Sequence, residues 1–327
     1  MNKKAMMGLG GGVIAIVAAV VIYLVAFSGG GSGPSGGATS ASGQARAEKL
    51  FAGVTSSQQF KAGGGKVVWK SAEAQGDQGV QIKNVEITGK DKQGKDRKIS
   101  VDEITVRKLD WNQIQGSPYA DVEIKGLRSP QFAETPQFKQ FMEATGLKDL
   151  VIDIKVRYQY NKDSKLMDVQ EAVVTARELG TFTLRAQIHG LDIAAVQKMQ
   201  EGGKFDPAQL MGMAAAIQIG KIYISFKDQG AIDKSATMQA KKMGGDKDKV
   251  IEMAVQQLEQ QKAAIPFDIA KKAADAAIKF LKNKSTIIAK ADPASPVPVI
   301  QIAMMGQPTP AKIESLVKSL GISIMAE

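Results

Sequence analysis

The side chains able to do chemistry are few in this chain of 327 residues, and their types narrow the reactions open to it. His189 is the single histidine and cysteine is absent, so the usual nucleophile and metal constellations cannot be assembled. Without a thiol there is no disulfide, thiolate nucleophile, iron–sulfur cluster or cysteine-ligated zinc. His189 stands at the end of an apolar strand beside Gly190 and Leu191, the setting of a half-buried structural residue rather than of a base. Carboxylates sit together at Asp102 and Glu103 and at Asp121 and Glu123. The first two, adjacent on a strand, point to opposite faces, and the second two share a polar, solvated face. Neither arrangement converges in a cleft as a glycosidase or aspartic dyad must. Gly33-Pro34-Ser35-Gly36-Gly37 matches a nucleophile-elbow pattern but lacks the strand before it and the helix after it that the elbow needs. There is no phosphate-binding loop of the Walker type, no strand-coupled dinucleotide fingerprint and no calcium loop. The expectation is a protein that is not an enzyme and holds no cofactor or metal.

What must carry function is therefore surface and charge. Lys and Arg number 43 against 33 Asp and Glu, a net charge of +10. These cations are dispersed, without aromatic platforms beside them, so no nucleic acid is expected as a partner. Hydrophobic residues make up 44% of the chain but aromatics only 6%, so the apolar mass is aliphatic and alanine.

That apolar mass is arranged mostly at a period of two. Val67 and Trp69 alternate in KVVWKSAEA; Val80 and Ile82, then Val85 and Ile87, in GVQIKNVEIT; Ile99 and Val101, then Ile104 and Val106, in KISVDEITV. The last two segments change phase by one residue midway, which predicts a bulge in each. SPYADVEIKG supplies a fourth strand, and the basic run Lys90 to Lys98 around Gly94 a hairpin loop. Thr135 and Pro136 open a short helix carrying Phe138, Phe141 and Met142, closed at Gly146. The clearest strand follows, with Leu150, Ile152, Ile154, Val156, Tyr158 and Tyr160 on one face. Its partners run around Val169 to Val174 and from Gly180 through Phe182, Leu184, Ala186 and Ile188. Further on, Ile222, Ile224 and Phe226 mark a strand, helices run through Val250 to Leu258 and Ala270 to Leu281, and strands are predicted near Ser285 to Ala291 and Val297 to Met304. A last helix starts at Thr309 and Pro310 before GISIMA. The class is α+β: a largely antiparallel, bent sheet packed with C-terminal helices. Ile152, Ile154, Val156, Tyr158, Phe182, Leu184, Ile188, Ile222, Ile224 and Phe226 form one aliphatic face, either covered as core or open as a groove for an acyl chain.

Upstream, Lys3 and Lys4 precede Ala5 to Phe27, a run without a charge that as a helix reaches roughly 35 Å, against a hydrocarbon core of about 30 Å. It is longer than the apolar core of a signal peptide and no clean small-x-small cleavage site follows, so an uncleaved anchor is expected. The lysines place residues 1–4 in the cytoplasm and the bulk of the chain outside it, in a bacterial periplasm, with the inner membrane holding the span. Gly8 and Gly12, extended by Ala15 and Ala19, form a small-residue stripe through which the span could pair as a homodimer. Residues 28–45 read as a Gly/Ser-rich tether spanning on the order of 20 Å. Residues 46–190 then form a β-rich region and 191–327 a mixed one, as one domain or two.

With a short cytoplasmic start, one span and strands ending in ISVDEITVRKLDW and GTFTLRAQIHGLD, the layout resembles bacterial envelope proteins of the YdgA-like and AsmA-like type. YISFKDQGAIDK, AIKFLKNKSTIIAKADPASPVPV and the closing GISIMA are similar to the end of such proteins. The resemblance covers most of residues 65 to 327. It implies an anchored periplasmic β-rich domain tied to envelope assembly or lipid handling, with no catalytic residue to carry over. The chain is much shorter than the larger AsmA-like proteins, which counts against a long lipid-conducting groove. Two functions follow as expectations: a non-enzymatic binder of membrane lipid or another hydrophobic partner, or a scaffold or assembly factor for another envelope protein complex.

Overall fold

The computed structural model describes residues 42–56, 58–91, 93–114, 116–134, 136–195, 207–303 and 309–327. The span from Ala5 to Phe27, with Gly8, Gly12, Ala15 and Ala19, lies outside the described residues, as does the tether up to Ala41. Among the described residues no helix is long and apolar enough to cross a membrane. The fold is α+β, with helices beside open, antiparallel sheet, and the chain divides into two compact units between Ile124 and Lys125.

The first unit holds helices α1 (Gly43–Ser56) and α2 (Gln58–Ala62) and strands β1 (Lys66–Val68), β2 (Ser71–Gln75), β3 (Gly79–Lys90), β4 (Asp96–Leu109) and the start of β5 (Tyr119–Leu127). β1 and β2 lie end to end along β3, pairing Val67 with Ile87 and Ala72 with Ile82. The single strand expected through KVVWKSAEA is thus broken at Trp69, whose ring leaves the ladder to stack on Phe51 at 5.5 Å. The expected bulges in β3 and β4 are also corrected. Both phase changes fall at the same level, Asn84 against Asp102, so one register runs unbroken from Val80↔Val106 to Lys90↔Asp96. Asn84 absorbs the change in a left-handed conformation, φ 52°. Because both strands shift together, Val80, Ile82, Val85, Val101, Ile104 and Val106 all remain buried.

Helix α1 begins inside the segment read as tether and has no counterpart among the predicted elements. Ala47 and Phe51, four residues apart on it, are buried, and so is Arg46. The Arg46 guanidinium donates to the carbonyl oxygens of Gly79 at 2.5 Å, Asp77 at 2.6 Å and Gly76 at 3.1 Å, gripping the β2–β3 turn. A buried cation held by carbonyls alone fixes the helix on the sheet through geometry that only the planar guanidinium fork can supply.

The second unit continues through a 3₁₀ turn (Pro130–Ala133), α3 (Pro136–Thr145), β6 (Ile152–Asn161), β7 (Leu166–Ala176), β8 (Gly180–His189), α4 (Pro207–Ala216), β9 (Gln218–Asp228), α5 (Ala231–Met243), α6 (Lys247–Ala263), α7 (Asp268–Asn283), β10 (Thr286–Ala291), β11 (Val297–Pro298), α8 (Val299–Ala303), α9 (Pro310–Ser319) and β12 (Ile322–Ala326). Strands follow the order β6-β7-β8-β9-β10-β12, with β11 also on β9. The strand expected from Val297 to Met304 stops at Pro298, which has no N–H to extend a ladder, and the chain turns into α8. α5 is anchored where β9 ends: Asp228, buried, accepts from the N–H groups of Gly230 at 3.1 Å and Ile232 at 3.0 Å. α5, α6 and α7 are tied at Asp233. A hydrogen bond from Lys284 at 2.7 Å, helped by Lys247 at 3.2 Å, holds its carboxyl below the ordinary value despite partial burial.

Candidate apolar binding face

The registers of β6 to β10 settle where the ten apolar candidates point. Residues directly opposite each other in antiparallel strands share a face. One row runs Ile154, Val174, Phe182, Phe226, Ile287. The next runs Val156, Ala172, Leu184, Ile224, Ala289, Ile324, and a third Tyr158, Val169, Ala186, Ile222, Ala291, Ile322. Ile152 stands at one end of the same face and Ile188, opposite Ile219, at the other. All ten therefore lie on one side of the sheet.

Two irregularities make this possible. β7 carries an extra residue between Val169 and Ala172, and β9 one between Ile219 and Ile222, so apolar residues three apart in sequence return to the same side. The alternation in β7 and at the start of β9 is for this reason weak in the sequence, and Val169, Ala172, Ile219 and the β10 and β12 residues Ile287, Ala289, Ile322 and Ile324 were not among the candidates. The signal that could have found them is the aliphatic run TIIAKA and the closing ISIMA.

The face is not covered evenly. On β6, Ile152, Ile154, Val156 and Tyr158 are buried, a packed core. Burial pushes the Tyr158 hydroxyl up to about 12, since the tyrosinate would lose its hydration. At the row of Phe226, α7 lies over the sheet: Phe280 meets Phe226 edge to face at 6.0 Å. Gly180 makes room for that arrangement, since a Cβ there would stand 2.5 Å from the Phe226 ring. One row further on, cover thins. Ile224 is 38% exposed, and Leu184, Ile222, Ala289, Ile322 and Ile324 around it are only half-buried.

The opposite face carries polar partners, with Ile288 of β10 and Ser225 of β9 buried on it. Arg177 grips Asp153 through two hydrogen bonds of 2.9 Å, Lys155 meets Glu171 at 2.8 Å, and Thr175 bonds Thr181 at 3.0 Å. The carboxylates weighed as chemistry are engaged elsewhere. Asp121 and Glu123 both bind Arg107, and Glu103 accepts from Gln81 at 2.8 Å. His189 ends β8 half-buried, opposite Gln218. Among the described residues no three His, Cys, Asp or Glu side chains gather as metal ligands.

Residues 173–327, from within β7 to the end of the chain, match a family described only as an uncharacterized protein. No curated protein matches the chain.

Proposed function

We propose that the chain is a non-enzymatic envelope protein, anchored in a bacterial inner membrane by Ala5 to Phe27, whose second unit holds an acyl chain or similar apolar ligand against the β8–β9–β10 face. The observation that carries the reading is Ile224, 38% exposed at the centre of a half-covered aliphatic row. An apolar sheet face left partly open is costly in water and marks a ligand or membrane site. The resemblance to YdgA-like and AsmA-like envelope proteins supports the same reading, as does the charge: Lys3 and Lys4 account for two of the +10, leaving +8 on the part beyond the span.

The test uses the full chain in lipid nanodiscs containing a phospholipid with a diazirine in its acyl chain. Irradiation is expected to label peptides from β8, β9 or β10, and Ile224→Asp to remove that label while leaving label on the peptide with Ala5 to Phe27. Label confined to the span in the unaltered protein overturns the reading.

A specific feature favours a second function, scaffolding another envelope protein: Met243 on α5 and Met253 on α6 are 52% and 45% exposed, and methionine surfaces adapt to protein partners. Crosslinking in cells from position 243 then traps one dominant protein, which lipid binding does not require.

A further inference from the structure

We propose that Arg185, Tyr223 and Lys290, on the face of the second unit's sheet opposite Ile224, form a binding site for a phosphate group. The three come from adjacent strands at one level: Arg185 of β8 is opposite Tyr223 of β9, and Tyr223 is opposite Lys290 of β10. Both cations lean onto the same ring, the Arg185 guanidinium 5.4 Å from its centre and the Lys290 ammonium 5.7 Å. Ser323 of β12 stands next in the row, opposite Lys290.

Charge balance separates this group from its surroundings. On the same face Lys155 and Arg157 share Glu171, at 2.8 and 3.9 Å, and Arg177 is matched to Asp153. Lys221 is matched to Asp292 at 3.2 Å. Among the described residues Arg185 and Lys290 have no carboxylate partner, and the hydroxyls of Tyr223 and Ser323 make no hydrogen bond. Among the described residues Lys227 is likewise without a carboxylate, but it faces Thr181 and Thr286 and lies over no aromatic ring. What singles out Arg185 and Lys290 is that both hold to one aromatic ring from the strands on either side of it. The ring's negative face attracts each of them but leaves their mutual repulsion in place. A phosphate removes it: the guanidinium fork matches two phosphate oxygens, the ammonium supplies a point charge, and the two hydroxyls add neutral donors. The site lies on the side of the sheet opposite Ile224, so it does not depend on the acyl-chain reading. Its phosphate can belong to a lipid headgroup or to a free phosphorylated compound.

The test is calorimetric titration of the full chain in uncharged detergent, with inorganic phosphate in one arm and dioctanoyl phosphatidylglycerol in the other. Saturable binding in either arm is expected, weakened about tenfold or more by Arg185→Gln and by Lys290→Gln and unchanged by Lys227→Gln. All three side chains are exposed, so the variants keep the wild-type thermal midpoint. Binding of the phosphatidylglycerol alone assigns the headgroup as source, and binding of inorganic phosphate assigns a free compound. No saturable binding in either arm overturns the site, as does a loss with Lys227→Gln equal to that with Arg185→Gln, which would mean that only the charge of the face matters.

Discussion

The two units answer the same alternating pattern in different ways. In the first, Val80, Ile82 and Val106 are 0% exposed and Val85 1%, and α1 lays Ala47 and Phe51 into the buried layer. In the second, β6 is equally well buried, yet two strands away from its partner β7 Ile224 is 38% exposed. Strands of both units alternate apolar and polar side chains; what differs along them is the cover. A strand's period states which side chains share a face, but whether that face meets a helix, a ligand or water depends on which other elements reach it. The contrast is between the enclosed middle of β3 and β4 and the half-covered row through Ile224; towards the strand ends the first unit is open as well, Ile99 being 37% and Val68 55% exposed.

The largest effect that would break this contrast is expected at Ile82. Ile82→Ala should lower stability by about 3–4 kcal/mol, because a fully enclosed site cannot collapse around the lost atoms, whereas Ile224→Ala should cost less than about 1 kcal/mol. Trp69 and Trp111 both lie in the first unit, so tryptophan fluorescence in a urea titration reads the first change directly, and hydrogen exchange of β9 reads the second. Equal costs at the two positions would erase the distinction between a closed and an open face.

Next in size is the clasp that closes the first unit. Arg46→Ala should cost about 2–3 kcal/mol in the same titration, since a charged donor to three carbonyls is lost, and Arg46→Lys should recover less than half of it, having no fork. A lysine that restores full stability would mean that charge rather than geometry seats α1.

The smallest effect sharpens the view of β6 as packed core. The Tyr158 hydroxyl is raised from 10.0 to about 12 by burial, so the folded state keeps its proton where the unfolded chain has lost it. The stability involved is present in full below pH 10 and is lost as the pH climbs towards 12, on the order of 2 kcal/mol. An ultraviolet titration should show one tyrosine ionising well above the others, and Tyr158→Phe should remove that late component.

Much of the second unit could be read from residue order because local pattern and tertiary placement agree there. The strict alternation from Ile152 to Tyr158 matches a strand buried at every second residue. The helices through Val250 and Ala274 announce themselves through apolar residues three and four apart. Reading failed where long-range contacts outvote local pattern. KVVWKSAEA alternates like one strand, but Trp69 is drawn out by Phe51, and GQARAEKLFAGVTS is helical because Arg46 finds its carbonyls some thirty residues further along the chain. The paired phase change at Asn84 and Asp102 is visible in each strand separately, yet only their pairing reveals that the register survives it.

Residue types by themselves determined the absence of thiol chemistry, the single imidazole, the uncharged run near the start of the chain and the apolar and polar sides of strictly alternating strands such as β6, because these depend on composition and on neighbours one or two positions apart. Tertiary structure alone decided that Val169, Ala172 and Ile219 join the apolar face across bulges in β7 and β9, that Ile224 is left 38% exposed on it, and that Arg185 and Lys290 flank the ring of Tyr223. Those outcomes turn on register and on the reach of distant helices, and both are set by packing between segments far apart in the chain.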